Sequence, residues 1–192
     1  MHKLFFLALP LTVFLLASCK ENKTTDSTTA STAVDSTSAT TPASKIVAKA
    51  SDSNAEAAKL WLVKTITNYF NDPELSSLEG NMIKNTTPDY YAYKSDATNV
   101  DLDVEGSLTV EEFHKKWKDK FDTSKAGIGT GFLISGQDWS KIIVEKCDLL
   151  SAKENAFLFD VVLKDVEFNA TYTSQIVVTQ VKGAYKIADV KE

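Results

Sequence analysis

Arginine is absent from the sequence: all 21 basic residues are lysine, against 26 acidic residues, and the formal net charge is −5. Arginine dominates the recognition of bases and phosphates, because its planar guanidinium forms paired hydrogen bonds. Its absence and the negative net charge therefore argue against nucleic acid as a partner. They also argue against a basic surface that holds anionic lipid headgroups.

Cysteine is nearly absent too, with two residues in the chain. The first, Cys19, follows a positively charged start and an apolar run over Leu4–Leu16. This order is typical of secretory signal peptides. Leu16-Ala17-Ser18-Cys19 resembles the lipobox of bacterial lipoproteins, in which the cysteine receives fatty acyl groups such as palmitate. A membrane-spanning helix is the alternative, but the run is shorter than the roughly 20 residues that such a helix needs.

We therefore expect residues 1–19 to form a lipoprotein signal peptide with lipobox, and Cys19 to be the lipidation site. The lipid would hold the protein on the membrane of a bacterial cell envelope, on its extracytoplasmic side. Cys147, the second cysteine, is then left without a partner for an intramolecular disulfide. It lies in an apolar run, so that a buried, inert thiol is expected.

Residues 20–52 are rich in serine and threonine and contain no aromatic residue. Such a segment buries too little apolar surface to offset the entropy that ordering costs. We expect a disordered stalk over 20–52, and a tract that carries O-glycans is the alternative.

Helical signals open the domain that we expect over residues 53–192. Ser53 and Glu56 have the spacing of a capping box, and apolar residues recur at helical spacing up to Asn71. A second, shorter helix is predicted after Pro73. Tyr90, Tyr91 and Tyr93 follow a break at Thr86-Thr87-Pro88; this segment fits a helix or a strand. The tyrosines either pack in the core or line a ligand pocket.

The segment 101–112 resembles an EF-hand calcium loop. Asp101, Asp103 and Glu105 stand at positions 1, 3 and 5 of the loop, and Gly106 and Glu112 stand at positions 6 and 12. Calcium requires such a set of oxygen ligands on a sharply turned loop. The alternative without metal is a strand with alternating apolar and acidic residues, a turn at the glycine and a capping box before the next helix. The sequence favours this alternative, because position 5 is Glu and there is no second loop.

Two residues are candidates for catalysis, His114 and Asp160. His114 lies beside the apolar stripe of the helix that follows residue 109, and Asp160 interrupts an apolar strand. General acid–base catalysis requires partners within reach, and the sequence indicates none for either residue.

The glycine-rich segment 127–131 follows a helix instead of a strand, which is not the context of a phosphate-binding loop. We expect a tight connection there that needs either positive φ or close backbone approach, and no cofactor.

The last third of the chain predicts an antiparallel meander. Segments 141–150, 156–168, 171–181 and 184–190 are rich in β-branched and aromatic residues, with turn residues between them. Both faces of segment 156–168 are largely apolar, so that we expect it to be covered on both sides.

The order of these elements and the final hairpin resemble the NTF2-like (SnoaL-like) superfamily. Its members often end in a turn, an aromatic residue, a basic residue, Ile and Asp-Val, as in the segment Lys182-Gly183-Ala184-Tyr185-Lys186-Ile187-Ala188-Asp189-Val190. The resemblance covers about residues 54–192. It implies an α+β fold in which N-terminal helices pack on a curved antiparallel sheet and leave a cone-shaped pocket.

That superfamily includes ligand-binding proteins, isomerases, dehydratases and dimers, so the fold does not fix the function. The enzymes use an Asp or an Asp–His pair in the pocket, and no residue here matches such a pair. We therefore expect a non-catalytic module that binds a small apolar ligand or a protein partner, and a homodimer is compatible with the fold. The alternatives are an isomerase or dehydratase that acts through Asp160 or His114, and a weak calcium-binding module at 101–112.

Overall fold

Four helices precede a sheet of four strands in the part of the chain that the computed structural model describes, residues 42–72, 77–136 and 138–192. The helices are α1 (Pro42–Asn71), α2 (Leu78–Asn85), α3 (Pro88–Thr98) and α4 (Val110–Trp117), and a 3₁₀ turn η1 (Thr123–Lys125) follows them. The strands are β1 (Ile142–Lys153), β2 (Ala156–Asp165), β3 (Thr171–Val181) and β4 (Ala184–Lys191). The α+β class predicted from the sequence is confirmed.

Helix α1 begins at Pro42 instead of Ser53. Proline suits the first turn of a helix, where no backbone donor is needed, and the alanines and lysines that follow are good helix formers. The predicted capping box at Ser53 and Glu56 therefore lies inside the helix. Residues 42–52, which the sequence assigns to the stalk, belong to α1, and residues 1–41 lie outside the described residues. No helix in the described part of the chain is both long and apolar enough to span a membrane.

The segment with the three tyrosines is helical. Thr87 caps α3, because its side chain accepts a hydrogen bond from the backbone N–H of Tyr90, and Pro88 takes the first turn. Tyr90 and Tyr93 are buried in the core, whereas the hydroxyl of Tyr91 donates to Glu79 at the surface. Core packing is thus the role of two of the three tyrosines.

The four strands form a meander in the order β1-β2-β3-β4, with antiparallel pairing throughout, as predicted. Strand β2 ends at Asp165 rather than at residue 168, because the Asp165 carboxylate accepts hydrogen bonds from the backbone N–H groups of Glu167 and Phe168 and turns the chain. Residues of the helices and of the strands, including Phe157 and Phe159 of β2, belong to one hydrophobic cluster.

The prediction that β2 is covered on both faces is wrong for the described residues. The outward-facing side chains of Leu158 and Val162 are only half-buried. They are shielded by cross-strand neighbours, since Leu158 pairs with Val177 and Val162 pairs with Thr173. Within the described ranges, cross-strand neighbours therefore shield these apolar side chains without a second layer.

Large side chains of the helices and the strands form one buried cluster in the described residues. The members of this cluster with an exposure of 1% or less include Leu62, Ile66, Tyr90, Tyr93, Phe113, Phe159, Ile176 and Ile187.

Candidate functional site

An apolar pocket opens where the end of α1 meets the loop before β1. Its volume is about 450 Å³, within the range of roughly 300–1,000 Å³ that small-molecule sites occupy. Its apolar lining consists of Tyr69, Phe70, Leu78, Leu102, Phe132, Ile134 and Trp139. No charged residue is found among the described residues that line it.

Aromatic rings form the floor of the apolar pocket in edge-to-face contacts. The ring centroids of Tyr69 and Phe132 are 5.2 Å apart, and those of Phe70 and Trp139 are 5.4 Å apart. The indole N–H of Trp139 donates to the backbone oxygen of Phe70 at 3.2 Å. The indole therefore has its polar group satisfied and presents an apolar surface in a fixed orientation.

Glycines form one wall of the apolar pocket: Gly129, Gly131 and Gly136. Gly129 has a φ of 73°, which favours glycine over residues with a Cβ, and a Cβ placed there would meet open space. The backbone N–H of Gly129 donates to Ala97 O at 2.9 Å, and the Thr98 hydroxyl donates to Thr130 O at 2.9 Å. The predicted tight connection with positive φ is thus confirmed, and its contacts fix the wall to the end of α3.

A buried lysine, Lys94, forms hydrogen bonds with the glycine-rich loop that contains Gly129 and Gly131. The ammonium of Lys94 donates to the backbone oxygens of Ala126 and Gly127 at 3.0 and 3.1 Å and to the hydroxyl of Thr130 at 3.1 Å. It also pairs with Glu192, whose carboxylate oxygen lies 3.0 Å away. Burial lowers the pKa of Lys94, and the Glu192 carboxylate opposes that shift. Because so many bonds converge on the loop, we infer that the pocket is formed before any ligand binds.

Tyr69 provides a polar group at the apolar floor. Its side chain lines the pocket while the residue is only 9% exposed. Burial raises the pKa of Tyr69 to about 12, so that the hydroxyl stays protonated at neutral pH. The sequence places Tyr69 on the buried face of α1, but nothing in the periodicity distinguishes a core position from a position beside a pocket.

The segment 101–112 contributes to the pocket through Leu102, which is 50% exposed at the mouth. The segment turns with a positive φ at Asp101 and at Gly106 and contains no strand. The alternating strand in our metal-free alternative is therefore wrong. Its capping box is correct: Thr109 accepts from the N–H of Glu112, and Glu112 accepts from the N–H of Thr109.

The acidic residues of that segment do not come together as calcium ligands. Within the described ranges, no group of three or more His, Cys, Asp or Glu side chains is placed to hold a metal ion. The four candidate ligands, Asp101, Asp103, Glu105 and Glu112, therefore do not form such a group. The carboxylate of Glu112 caps its own helix at 3.0 Å.

Asp160 lies away from the apolar pocket. It lines a polar cleft of about 400 Å³ together with Asp122, Lys125 and Lys191. Its carboxylate accepts a hydrogen bond of 2.6 Å from the ammonium of Lys146, a partner that the sequence did not indicate. An exposed ion pair is the role that these contacts support.

His114 is not among the residues that line this polar cleft. Its Nδ1 lies 2.7 Å from the hydroxyl of Thr123, which connects α4 to η1. The structure therefore does not bring His114 and Asp160 into one site.

Cys147 is buried, as predicted, and burial raises the pKa of its thiol to about 11. A thiol with a raised pKa is a poor nucleophile at neutral pH, because the thiolate is the reactive form. Cys19, the predicted lipidation site, lies outside the described residues.

The order of the elements, helices and then a four-stranded meander, is the order that the resemblance to NTF2-like domains implies. The cone-shaped pocket and the membership of the NTF2-like superfamily remain predictions. Comparison of the chain with protein-family models, with curated proteins and with solved structures finds no match.

Proposed function

We propose that the protein is a lipid-anchored, extracytoplasmic module that binds a small, neutral, apolar molecule in the apolar pocket. The observation that carries this proposal is the lining: aromatic and aliphatic side chains surround about 450 Å³, with no charge among the described lining residues. An ion buried there without a partner would lose its hydration at a large cost in free energy. A neutral ligand has no such cost and gains from the apolar area that it buries.

Binding is favoured over catalysis by the chemistry of the lining. Tyr69 is the titratable residue among the described lining residues, and its pKa of about 12 is far from the range near neutral pH in which acid–base catalysts work best. Asp160, the candidate for an enzyme of this fold, forms an ion pair with Lys146 in a different cleft.

The anchor is proposed from the motif Leu16-Ala17-Ser18-Cys19. Mass spectrometry of the protein extracted from membranes tests it. We expect an N-terminal peptide that begins with an acylated Cys19, and a Cys19→Ser variant that stays unprocessed and carries no lipid. An intact leader on the wild-type protein, or a free thiol at Cys19, would contradict the anchor without affecting the pocket.

Titration with N-phenyl-1-naphthylamine, a neutral probe that fluoresces in apolar surroundings, tests the binding function. Leu102→Glu places a charge at the mouth of the pocket and should weaken binding at least about tenfold, which corresponds to about 1.4 kcal/mol. Leu60→Glu is the matched control, because Leu60 is 64% exposed on α1 and does not line the pocket. Equal affinity in both variants, or no binding by the wild-type protein, would overturn the proposal.

A further inference from the structure

The hydroxyl of Tyr69 has no hydrogen-bond partner among the described residues. Tyr69 has two edge-to-face contacts, with the rings of Phe70 and Phe132 at 4.9 and 5.2 Å, and these hold the ring without giving the hydroxyl a partner in the described part of the chain. Its raised pKa has burial as its cause and no contribution from a hydrogen bond or a charge. A buried polar group without a partner costs free energy, so such a group beside an open pocket requires an explanation.

The position of this hydroxyl differs from that of Tyr90, whose hydroxyl is also without a partner but is fully enclosed in the core. Tyr69 lines the apolar pocket, and its hydroxyl is not among the fully enclosed, unbonded side-chain atoms found in the described residues. A molecule in the pocket contacts Tyr69, whereas the fully enclosed hydroxyl of Tyr90 is out of its reach.

The other side-chain donors in the described lining are already in use. The Thr98 hydroxyl donates to the backbone of Thr130, and the indole of Trp139 donates to the backbone of Phe70. The Thr130 hydroxyl donates to Gly127 O at 2.7 Å. Among the lining residues that the structure describes, Tyr69 is thus the side-chain donor that remains free for a ligand.

We propose that Tyr69 determines which ligands the pocket prefers: neutral apolar molecules with one hydrogen-bond acceptor, such as a carbonyl oxygen, that receives the proton of the Tyr69 hydroxyl. This inference rests on the proposed function, because it names the ligand class of the same pocket. An acceptor within an otherwise apolar molecule satisfies the hydroxyl and leaves no ligand polar group unpaired. A carboxylate is excluded by the lack of a cation among the described lining residues.

Two probes of nearly equal shape test the proposal, 2-acetylnaphthalene, a ketone, and 2-isopropenylnaphthalene, in which a CH₂ group replaces the oxygen. We expect the wild-type protein to prefer the ketone, and Tyr69→Phe to reduce that preference by about two- to tenfold, the usual contribution of one hydrogen bond. The stability of Tyr69→Phe should equal or exceed that of the wild type, because the Tyr69 hydroxyl has no hydrogen bond to lose within the described ranges. Tyr185→Phe is the matched control, since its hydroxyl donates to Asn54 O outside the pocket.

The outcomes separate this inference from the proposed function. If both probes bind and Tyr69→Phe leaves their affinity ratio unchanged, the role of Tyr69 is refuted while the binding function stands. If neither probe binds to the wild-type protein, the proposed function fails and the inference fails with it. A loss of ketone preference in Tyr185→Phe as large as that in Tyr69→Phe would also refute the role of Tyr69.

Discussion

The ammonium of Lys94 lies 3.0 Å from the carboxylate of Glu192, a residue 98 positions later in the chain. The pair connects α3 to the end of β4, and the lysine is 1% exposed. Gly127 contacts both residues: its backbone oxygen accepts from Lys94, and a Cβ at that position would overlap the Glu192 carboxylate. This arrangement fixes the glycine loop that forms one wall of the apolar pocket.

Replacing Lys94 with methionine should destabilise the protein by about 3 kcal/mol, because the substitution leaves the Glu192 carboxylate without its cation and removes the hydrogen bonds from Lys94 to two backbone oxygens. Urea denaturation measures the change. Lys120→Met is the matched control: its partner Asp89 is exposed, and surface ion pairs contribute about 0–1 kcal/mol. Similar small losses in both variants would show that the Lys94 pair does not hold the loop.

The stability of the protein should fall as the pH decreases from about 4 to about 2, and Asp165 should account for part of that fall. Burial raises the pKa of Asp165, but hydrogen bonds from Ser140, Phe168 and Glu167 outweigh it and lower the pKa from 3.8 to about 2. A carboxyl group with a lowered pKa in the folded state stabilises the protein above its unfolded pKa. That contribution is lost as the group is protonated.

Urea denaturation between pH 2 and 6 measures this effect. Asp165→Asn should be less stable at pH 6 and should show a shallower fall below pH 4. In Ser140→Ala, which lacks one of the bonds that lower the folded-state pKa, the fall should be smaller and should end at a higher pH. An equally steep fall in Asp165→Asn and in the wild type would contradict the assignment.

Tyr90→Phe should raise the free energy of unfolding by about 1 kcal/mol, because it removes a fully enclosed hydroxyl that has no partner. Tyr93→Phe should lower it by about 0.5–1 kcal/mol, because the Tyr93 hydroxyl donates to Asp122 O at 3.3 Å. The two substitutions remove the same atom from neighbouring core positions, so opposite signs in urea denaturation are the informative result. A loss of more than about 1 kcal/mol in Tyr90→Phe would show that its hydroxyl is bonded in solution.

The sequence predicts the meander well because each strand carries its own signal. β-branched and aromatic residues mark the strands, and Lys182-Gly183 marks the last turn. The capping box of Thr109 and Glu112 is predicted for the same reason, since its two residues stand three positions apart. Local chemistry therefore accounts for most of the elements between residues 109 and 192.

Local signals mislead where a longer stretch or a partner decides the structure. The capping residues at Ser53 lie inside α1, because helix-forming residues continue on the N-terminal side to Pro42. The alternating residues from Val100 to Val104 do not form a strand, because no neighbouring strand pairs with them in the described residues.

The apolar pocket could not be predicted from the sequence. Tyr69, Leu102 and Phe132 come from three separate segments, and each reads as an ordinary core or loop residue in its own segment. The Lys94–Glu192 pair could not be predicted either, because nothing in the sequence links two charged residues that stand 98 positions apart. Such sites depend on the tertiary arrangement alone.

The most direct test of the account is the set of intermolecular nuclear Overhauser effects between bound 2-acetylnaphthalene and the protein. We predict contacts from the naphthyl protons to the rings of Phe70 and Phe132 and to the side chain of Ile134, all of which line the apolar pocket. Contacts instead to Leu158 and Val177, on the half-exposed outer face of the sheet, would contradict the assignment of the binding site.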